Sequence, residues 1–218
     1  MASVSLANKV AVVTGGDSGI GHAISVALAQ AGASVTINYH RNQAAAEATL
    51  QTITQAGGKG QIVQGDVGSV ADIQKLVDET VKAFGRLDIM VNNAGMETRT
   101  SLLDTTEAQF DLVIGVDLKS AFFGAQIAAK QMIAQGGGGH IINISSVHED
   151  WPMPGSGCRT SRLESGHPNV PTPPAWSTTM PASEWATSWL TVRRCTATPR
   201  WVGRSATRAW SRSAATCR

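Results

Sequence analysis

A glycine-rich turn near the amino terminus constrains this chain more than any other feature. The apolar run Val10–Val13 leads into Thr-Gly-Gly-Asp-Ser-Gly-Ile-Gly, and a helix-forming segment follows over His22–Ala31. Glycines let the backbone approach an anion closely, and the N–H groups of the first helical turn point at it. This arrangement predicts a site for the pyrophosphate of a dinucleotide. The predicted ligands are Gly15, Asp17, Ser18, Gly19, Ile20 and Gly21.

Strands and helices alternate from Lys9 to about Ser146, which is typical of a parallel sheet with helices on both faces. The predicted strands are Val10–Thr14, Ser34–Tyr39, Gln61–Gly65, Asp88–Val91 and His140–Ile144. The predicted helices are Ile20–Ala31, Gln43–Ala56, Val70–Phe84 and Glu107–Gln135, with caps at Ser69 and at Thr105 or Thr106 and closing glycines at Gly32, Gly57 and Gly136. We therefore expect a Rossmann-type doubly wound α/β sheet of about five strands in the order 3-2-1-4-5. The second strand completes a βαβ unit, which argues against an ordinary strand-to-helix turn at the glycines.

Length and composition indicate a single domain and argue against several classes of protein. A chain of 218 residues suits one domain, and its net charge of +2 lacks the basic excess typical of nucleic-acid-binding proteins. The amino terminus has no apolar signal-like core, so we expect a soluble cytoplasmic protein with no membrane partner. The three cysteines have no zinc-ligand spacing, so neither a metal site nor a disulfide framework is expected.

The composition changes abruptly after Gly155. No lysine occurs beyond Lys130, whereas five of the six tryptophans and six of the eight prolines lie beyond Gly155. Neither a period of two nor one of 3.6 residues is sustained there. We therefore divide the chain into a dinucleotide-binding domain over residues 1–155 and a low-order tail over residues 156–218. The tail is either a disordered extension or the product of a frameshift.

Polar motifs follow the third and fourth predicted strands. Asp66-Val67 follows one strand, and Asn-Asn-Ala-Gly at 92–95 follows the other. Both lie at carboxyl ends of parallel strands, where open α/β sheets bind ligands. With the spacing Thr-Gly-x-x-x-Gly-x-Gly, these motifs resemble the short-chain dehydrogenase/reductase family over about residues 6–155. The resemblance implies an NAD(P)-dependent oxidoreductase with Asp66 and Val67 near the adenine and with Asn93, Ala94 and Gly95 beside the cofactor.

The end of the second strand, Asn-Tyr-His-Arg at 38–41, bears on the choice of cofactor. Enzymes selective for NAD usually place an acid there to bind the ribose 2′-hydroxyl, whereas an arginine suits the 2′-phosphate of NADP. Since no acid is present and Arg41 is available, we predict NADP, or dual use of NADP and NAD. Tyr39 and Arg41 are the predicted ligands, and His40 is interpreted as part of a solvated strand end.

The resemblance also assigns catalytic positions. The family has a serine at the end of the fifth strand, a tyrosine acid/base about thirteen residues later, and a lysine four residues beyond it that lowers the tyrosine pKa. These spacings select Ser146, but the tyrosine and lysine positions hold Arg159 and Leu163. Asp117 stands where the family often has a catalytic asparagine. Because Tyr39 is the one tyrosine and arginine stays protonated near neutrality, we expect the chain to be inactive.

Two further patterns bear on the substrate and on the tail. Ser-Ser-Val-His-Glu at 145–149, together with Asn-Ala-Gly-Met-Glu at 93–97, resembles glucose 1-dehydrogenases within the family and implies an alcohol or sugar substrate. Residues 163–169, read one base forward with permitted codons, give Ser-Lys-Ala-Gly-Ile-Arg-Met, which is similar to the segment after the family's tyrosine.

We therefore predict a frameshift near Gly155 and an apolar fifth strand left without a neighbour, which favours aggregation. Intact relatives in this family would be homotetramers. The alternative is a non-catalytic, cofactor-binding protein whose arginine-rich tail serves association.

Overall fold

A computed structural model of the chain describes residues 5–146. The elements, in chain order, are β1 (Val10–Val13), α1 (Gly19–Gln30), β2 (Ser34–Tyr39), α2 (Gln43–Gln55), β3 (Lys59–Gln64), α3 (Val70–Phe84), β4 (Ile89–Asn92), α4 (Glu107–Val113), a π-helical segment (Ile114–Lys119), α5 (Ser120–Ala134) and β5 (His140–Asn143). The tail over 156–218, with Arg159, Leu163 and the predicted frameshift, lies outside the described residues.

The five strands form one parallel sheet in the order β3-β2-β1-β4-β5, as predicted. Strand β1 lies at the centre, where Val12 is paired with Thr36 of β2 and with Met90 of β4. All four residues of β1 are buried, which is typical of a parallel strand covered on both faces. The chain order reverses between β1 and β4, and this reversal opens a crevice at the carboxyl ends of the strands.

Two hydrophobic clusters cover the two faces of the sheet. The first packs α1 and α2 on one face, with Ala29, Ala46 and Ile53 against β1 and β2. The second packs α3 and α5 on the other face, with Leu76 and Ile127 among its members. The helices are therefore wound on both sides of the sheet, which confirms the doubly wound architecture.

The sequence predicted most element ends to within two residues, with two differences of substance. Strand β3 begins at Lys59 rather than Gln61 because the ladder to β2 already starts with the pair Ser34 and Lys59, although these residues are polar. The predicted long helix contains a π-helical segment between α4 and α5. The cap predictions are confirmed, since Ser69 and Thr106 accept the N–H groups of Asp72 and Gln109.

In the described part of the chain, a groove runs along the outer side of β5. Within residues 5–146, β5 pairs with β4 on one side and is the last strand of the sheet. A cavity of about 540 Å³ lies between β5 and α5. Leu118 and Phe122 line it and are each 62% exposed. The predicted apolar edge is therefore present in this part of the chain.

One helix among the described residues, Glu107–Ala134, is long and apolar enough to span a membrane by length and composition alone. The core helix of a water-soluble protein passes the same test. In this structure the helix packs against α3 and β4, and Ala128 and Met132 are buried in the second cluster.

A buried carboxylate ties the amino-terminal ends of the central strands together. Asp88 accepts two hydrogen bonds of 2.7 Å from Arg86, one of 3.1 Å from Lys9 and one of 3.1 Å from the Val10 N–H. Burial by itself would raise the pKa of the Asp88 carboxyl, but these hydrogen bonds outweigh it and hold the pKa below its usual value. The carboxylate therefore stabilises the folded chain only while it is ionised.

Replacing Asp88 should change how stability depends on pH. Asp88→Asn is expected to lower the free energy of unfolding near pH 7 by about 2 kcal/mol, because Arg86 and Lys9 lose an ionised acceptor. Because the folded-state pKa is lowered, this difference should be full above about pH 4 and should shrink as pH falls through the folded-state pKa. Urea unfolding at several pH values measures it.

Asp78→Asn is the matched control, because Asp78 is exposed on α3 and accepts a hydrogen bond from Gln74. It should leave stability within about 0.5 kcal/mol of the unmodified chain. Equal losses for Asp88→Asn and Asp78→Asn at pH 7 would contradict the assignment.

Candidate active site

Thr14 and Asn93 join the ends of β1 and β4 at the crevice. The Thr14 hydroxyl donates to the carbonyl of Val91 at 3.2 Å and accepts the N–H groups of Asn93 and Ala94 at 2.9 and 3.0 Å. In return, the Asn93 amide donates to the carbonyls of Thr14 and Gly15 at 2.9 and 3.1 Å. This clasp fixes the glycine loop relative to the loop that follows β4.

The glycine loop leaves an open space in front of helix α1. Gly15 and Gly19 have φ values of +58° and +52°, in the left-handed region that favours glycine. A Cβ on Gly21 would collide with the carbonyl oxygen of Gly15, whereas a Cβ on Gly19 would meet nothing within 4 Å. The backbone is therefore packed beneath the loop and open above it.

The start of α1 fits an anion. Its N-cap residue, Ser18, makes no side-chain cap hydrogen bond among the described residues, and its first turn contains no acidic side chain. Ser18, Gly19 and Ile20 are exposed there, with Ile20 at 65%. Exposed N–H groups at a helix start, without a side-chain acceptor, suit a phosphate. The residues present therefore fit the pyrophosphate of a dinucleotide cofactor.

Asn38 connects three strand ends around this loop. Its side-chain oxygen accepts the Gly15 N–H at 3.3 Å, and its amide donates to the carbonyl of Gly65 at 3.0 Å. Three residues further on, Arg41 is exposed at the rim. The side chain of Tyr39 is buried in the first hydrophobic cluster, so the structure places the two predicted ligands in different surroundings. Cofactor contacts by either residue stay predictions.

The turn after β3 holds Asp66 at the same edge of the sheet. The Asp66 carboxylate accepts the Gly68 N–H at 2.9 Å, and the Asp66 N–H donates to Asp72 at 2.9 Å. Val67 is 8% exposed and packs into the second hydrophobic cluster. The partly buried carboxylate of Asp66 therefore lies at the crevice, whereas the side chain of Val67 packs in the core.

Asp117 lies in the π-helical segment and contacts the loop after β4. Its carboxylate accepts the Met96 N–H at 2.8 Å, and it lies close to Gly95. A π-helical turn inserts one residue into a helix and is frequent at functional sites. The segment brings Asp117 to the loop that contains Asn93, Ala94 and Gly95.

Ser145 and Ser146 follow β5 at the carboxyl edge of the sheet. The ladder to β4 continues to Ile144, whose N–H donates to the Asn92 carbonyl at 2.9 Å, and Ser146 lies two residues beyond. Asn92 also donates from its side chain to Asn143 at 2.8 Å. The predicted serine is therefore at the same end of the sheet as the glycine loop and the Asn93 loop.

Sequence reasoning missed Thr14 and Asn38 as organising residues. Both are buried polar residues at the carboxyl end of a strand, with exposed fractions of 4% and 2%. A buried polar group needs hydrogen-bond partners, so a polar residue closing an apolar strand is a usable signal. Among residues 5–146, no group of three His, Cys, Asp or Glu side chains is placed to hold a metal ion.

The arrangement combines a parallel sheet, an exposed helix start without a side-chain cap and polar residues at neighbouring strand ends. The sequence matches the short chain dehydrogenase family over residues 9–158. The chain belongs to this family. The relatives reported below are named as dehydrogenases or oxidoreductases.

Two similar proteins are both named as oxidoreductases or dehydrogenases, but only one of the two names gives a substrate. An uncharacterized oxidoreductase of Methylorubrum extorquens is 44% identical over 161 residues, which is 74% of this chain and 62% of the relative. Glucose 1-dehydrogenase 2 of Bacillus subtilis is 37% identical over 150 residues, covering 68% of this chain and 58% of the relative. The chain thus spans about three fifths of the length of the curated relatives it matches.

A solved structure supports the fold. A short chain dehydrogenase from Burkholderia cenocepacia, crystallised in complex with NADP, superposes with a TM-score of 0.64 at 32% sequence identity. The match covers 69% of this chain and 60% of that chain. The NADP complex is a property of that relative, and the superposition shows that the two chains share a fold.

Removing the Thr14 hydroxyl should loosen the clasp. Thr14→Val is expected to lower the free energy of unfolding by about 2 kcal/mol, because the N–H groups of Asn93 and Ala94 lose their acceptor in a partly buried site. Thr14→Ser keeps the hydroxyl and should recover most of that loss. Urea unfolding measures both variants.

Thr52→Val is the matched control, because the exposed Thr52 hydroxyl bonds the carbonyl of Ala48 within its own helix. It should change stability by less than about 0.5 kcal/mol. A Thr14→Val variant as stable as Thr52→Val would show that the clasp does not organise the loops.

Proposed function

We propose that this chain derives from an NAD(P)-dependent short-chain oxidoreductase, which transfers hydride between its cofactor and an alcohol or sugar. The open helix start at Ser18–Ile20, held by the clasp of Thr14 and Asn93, is the observation that carries the proposal. A bound nicotinamide cofactor would supply or accept the hydride. Gly15, Asp17, Ser18, Gly19, Ile20 and Gly21 would hold its pyrophosphate, with Asp66 and Val67 at the adenine and Asn93, Ala94 and Gly95 beside the nicotinamide half.

The chain has only part of the set of residues that the family uses for proton transfer. Ser146 would hydrogen-bond the oxygen of the substrate, and Asp117 would position the loop after β4 through the Met96 N–H. The chain contains a single tyrosine, Tyr39, whose side chain is buried in the first hydrophobic cluster. Without a phenol and a lysine near Ser146, the chain would bind cofactor and turn over no substrate.

The preferred cofactor in this proposal is NADP, with dual use of NAD permitted. Arg41 is exposed beyond the end of β2, and no acidic residue occurs at 38–41 to bind a ribose 2′-hydroxyl. An arginine guanidinium suits a phosphate because it offers several donors in a planar fork.

The proposal also covers the substrate, the assembly and the location of the protein. The similarity to glucose 1-dehydrogenase 2 of Bacillus subtilis, which is 37% identical over 150 residues, supports a sugar substrate. We propose a soluble cytoplasmic protein without nucleic-acid partners. Intact relatives would form homotetramers, and the apolar groove beside β5 would make this chain prone to aggregate.

Cofactor titration tests the proposal. The full chain should bind NADPH saturably, as measured by the change in nicotinamide fluorescence, and should show no turnover with glucose or other alcohols. Arg41→Ala should weaken NADPH binding by about tenfold and leave NADH binding within about twofold, because only NADPH carries the 2′-phosphate. Arg41→Lys should lose less affinity than Arg41→Ala.

Lys82→Ala is the control for a general loss of positive charge, because Lys82 is exposed near the end of α3. It should leave both affinities unchanged. Saturable binding of neither NADPH nor NADH would contradict the proposed function. Turnover of glucose would contradict the proposed loss of activity, and equal effects of Arg41→Ala on the two cofactors would contradict the role of Arg41.

A further inference from the structure

Lys119 links the long helix to the turn after β3. Its ammonium group donates a hydrogen bond of 3.1 Å to the carbonyl of Gly68, a residue 51 positions earlier in the chain. Lys119 is the last residue of the π-helical segment, so it follows Asp117 by two positions. The segment therefore contacts two loops at the crevice, one through Asp117 and Met96 and the other through Lys119 and Gly68.

The turn that Lys119 contacts is the one that orients Asp66. The Gly68 N–H donates to the Asp66 carboxylate at 2.9 Å, and the Ser69 N–H donates to the Asp66 carbonyl at 2.9 Å. The peptide between Gly68 and Ser69 is therefore held on both sides, by Asp66 through its N–H and by Lys119 through its carbonyl. Lys119 thus acts on the peptide next to the one that holds the Asp66 carboxylate.

We propose that Lys119 is a positioning residue for the adenine end of the cofactor site. By holding the Gly68 carbonyl, it fixes the turn 66–69 and the direction of the Asp66 carboxylate, an acceptor suited to the amino group of adenine. This inference rests on the proposed function, because it assumes that Asp66 faces a bound adenine nucleotide. It adds a residue outside the sequence motifs that point to the cofactor.

The helix offers a matched control for the charge of Lys119. Lys130 lies in α5, near the carboxyl end of the same long helix, and its ammonium group contacts Gln126 one turn earlier at 3.3 Å. Both lysines are exposed. Replacing either by methionine removes one positive charge, but only replacement of Lys119 removes the hydrogen bond to Gly68.

A double-mutant cycle with ADP as the probe tests the inference. Titration calorimetry on the full chain should show that Lys119→Met weakens ADP binding by about three- to tenfold, that Lys119→Arg restores most of the affinity, and that Lys130→Met has no effect. In an Asp66→Asn background, Lys119→Met should weaken ADP binding by less than about twofold, because its effect passes through the Asp66 carboxylate. The thermal midpoint of Lys119→Met should match that of Lys130→Met.

Three results would overturn the inference, and they are distinguishable. Equal ADP affinity in the unmodified chain and Lys119→Met would overturn it and leave the proposed function standing. An undiminished effect of Lys119→Met in the Asp66→Asn background would show that Lys119 acts on the nucleotide by charge and not through Asp66. Absence of saturable ADP binding by the unmodified chain would overturn the proposed function and this inference together.

Discussion

The crevice depends on the reciprocal hydrogen bonds between Thr14 and Asn93. Parallel strands β1 and β4 are adjacent in the sheet, but the chain leaves them in opposite directions to cover opposite faces. Without a tie, the two loops that follow these strands would be free to separate. The Thr14 hydroxyl and the Asn93 amide supply five hydrogen bonds between 2.9 and 3.2 Å across this point. The helix start at Ser18 and the loop with Gly95 therefore keep a fixed relation.

Other contacts extend this organisation across the sheet. Asn38 connects the glycine loop to the end of β3, and the π-helical segment reaches the loops after β3 and β4 through Lys119 and Asp117. At the opposite end of the sheet, Asp88 ties the starts of the central strands. The proposed cofactor site and the ion-paired cluster around Asp88 thus lie at opposite ends of the same two buried strands, β1 and β4.

The fold was predictable because the apolar runs, glycines and caps agree with one another. Val10–Val13 is apolar throughout, and Ser69 and Thr106 are helix caps in both the prediction and the structure. The start of β3 was missed because Lys59 and Gly60 have little strand propensity and are paired only by their neighbour β2. The π-helical segment left no local signal, since its residues fit an ordinary helix. The hydrogen-bond roles of Thr14 and Asn38 depend on partners distant in sequence.

The central claim is that residues 5–146 form a working dinucleotide site organised by the clasp. Amide hydrogen exchange of the full chain, with and without saturating NADPH, tests this claim most directly. The account predicts slower exchange for the amides of residues 15–22 and 93–96 when NADPH is present, and unchanged exchange at the Asp88 end of the sheet. Unchanged exchange in residues 15–22, or slowing confined to other parts of the chain, would contradict it.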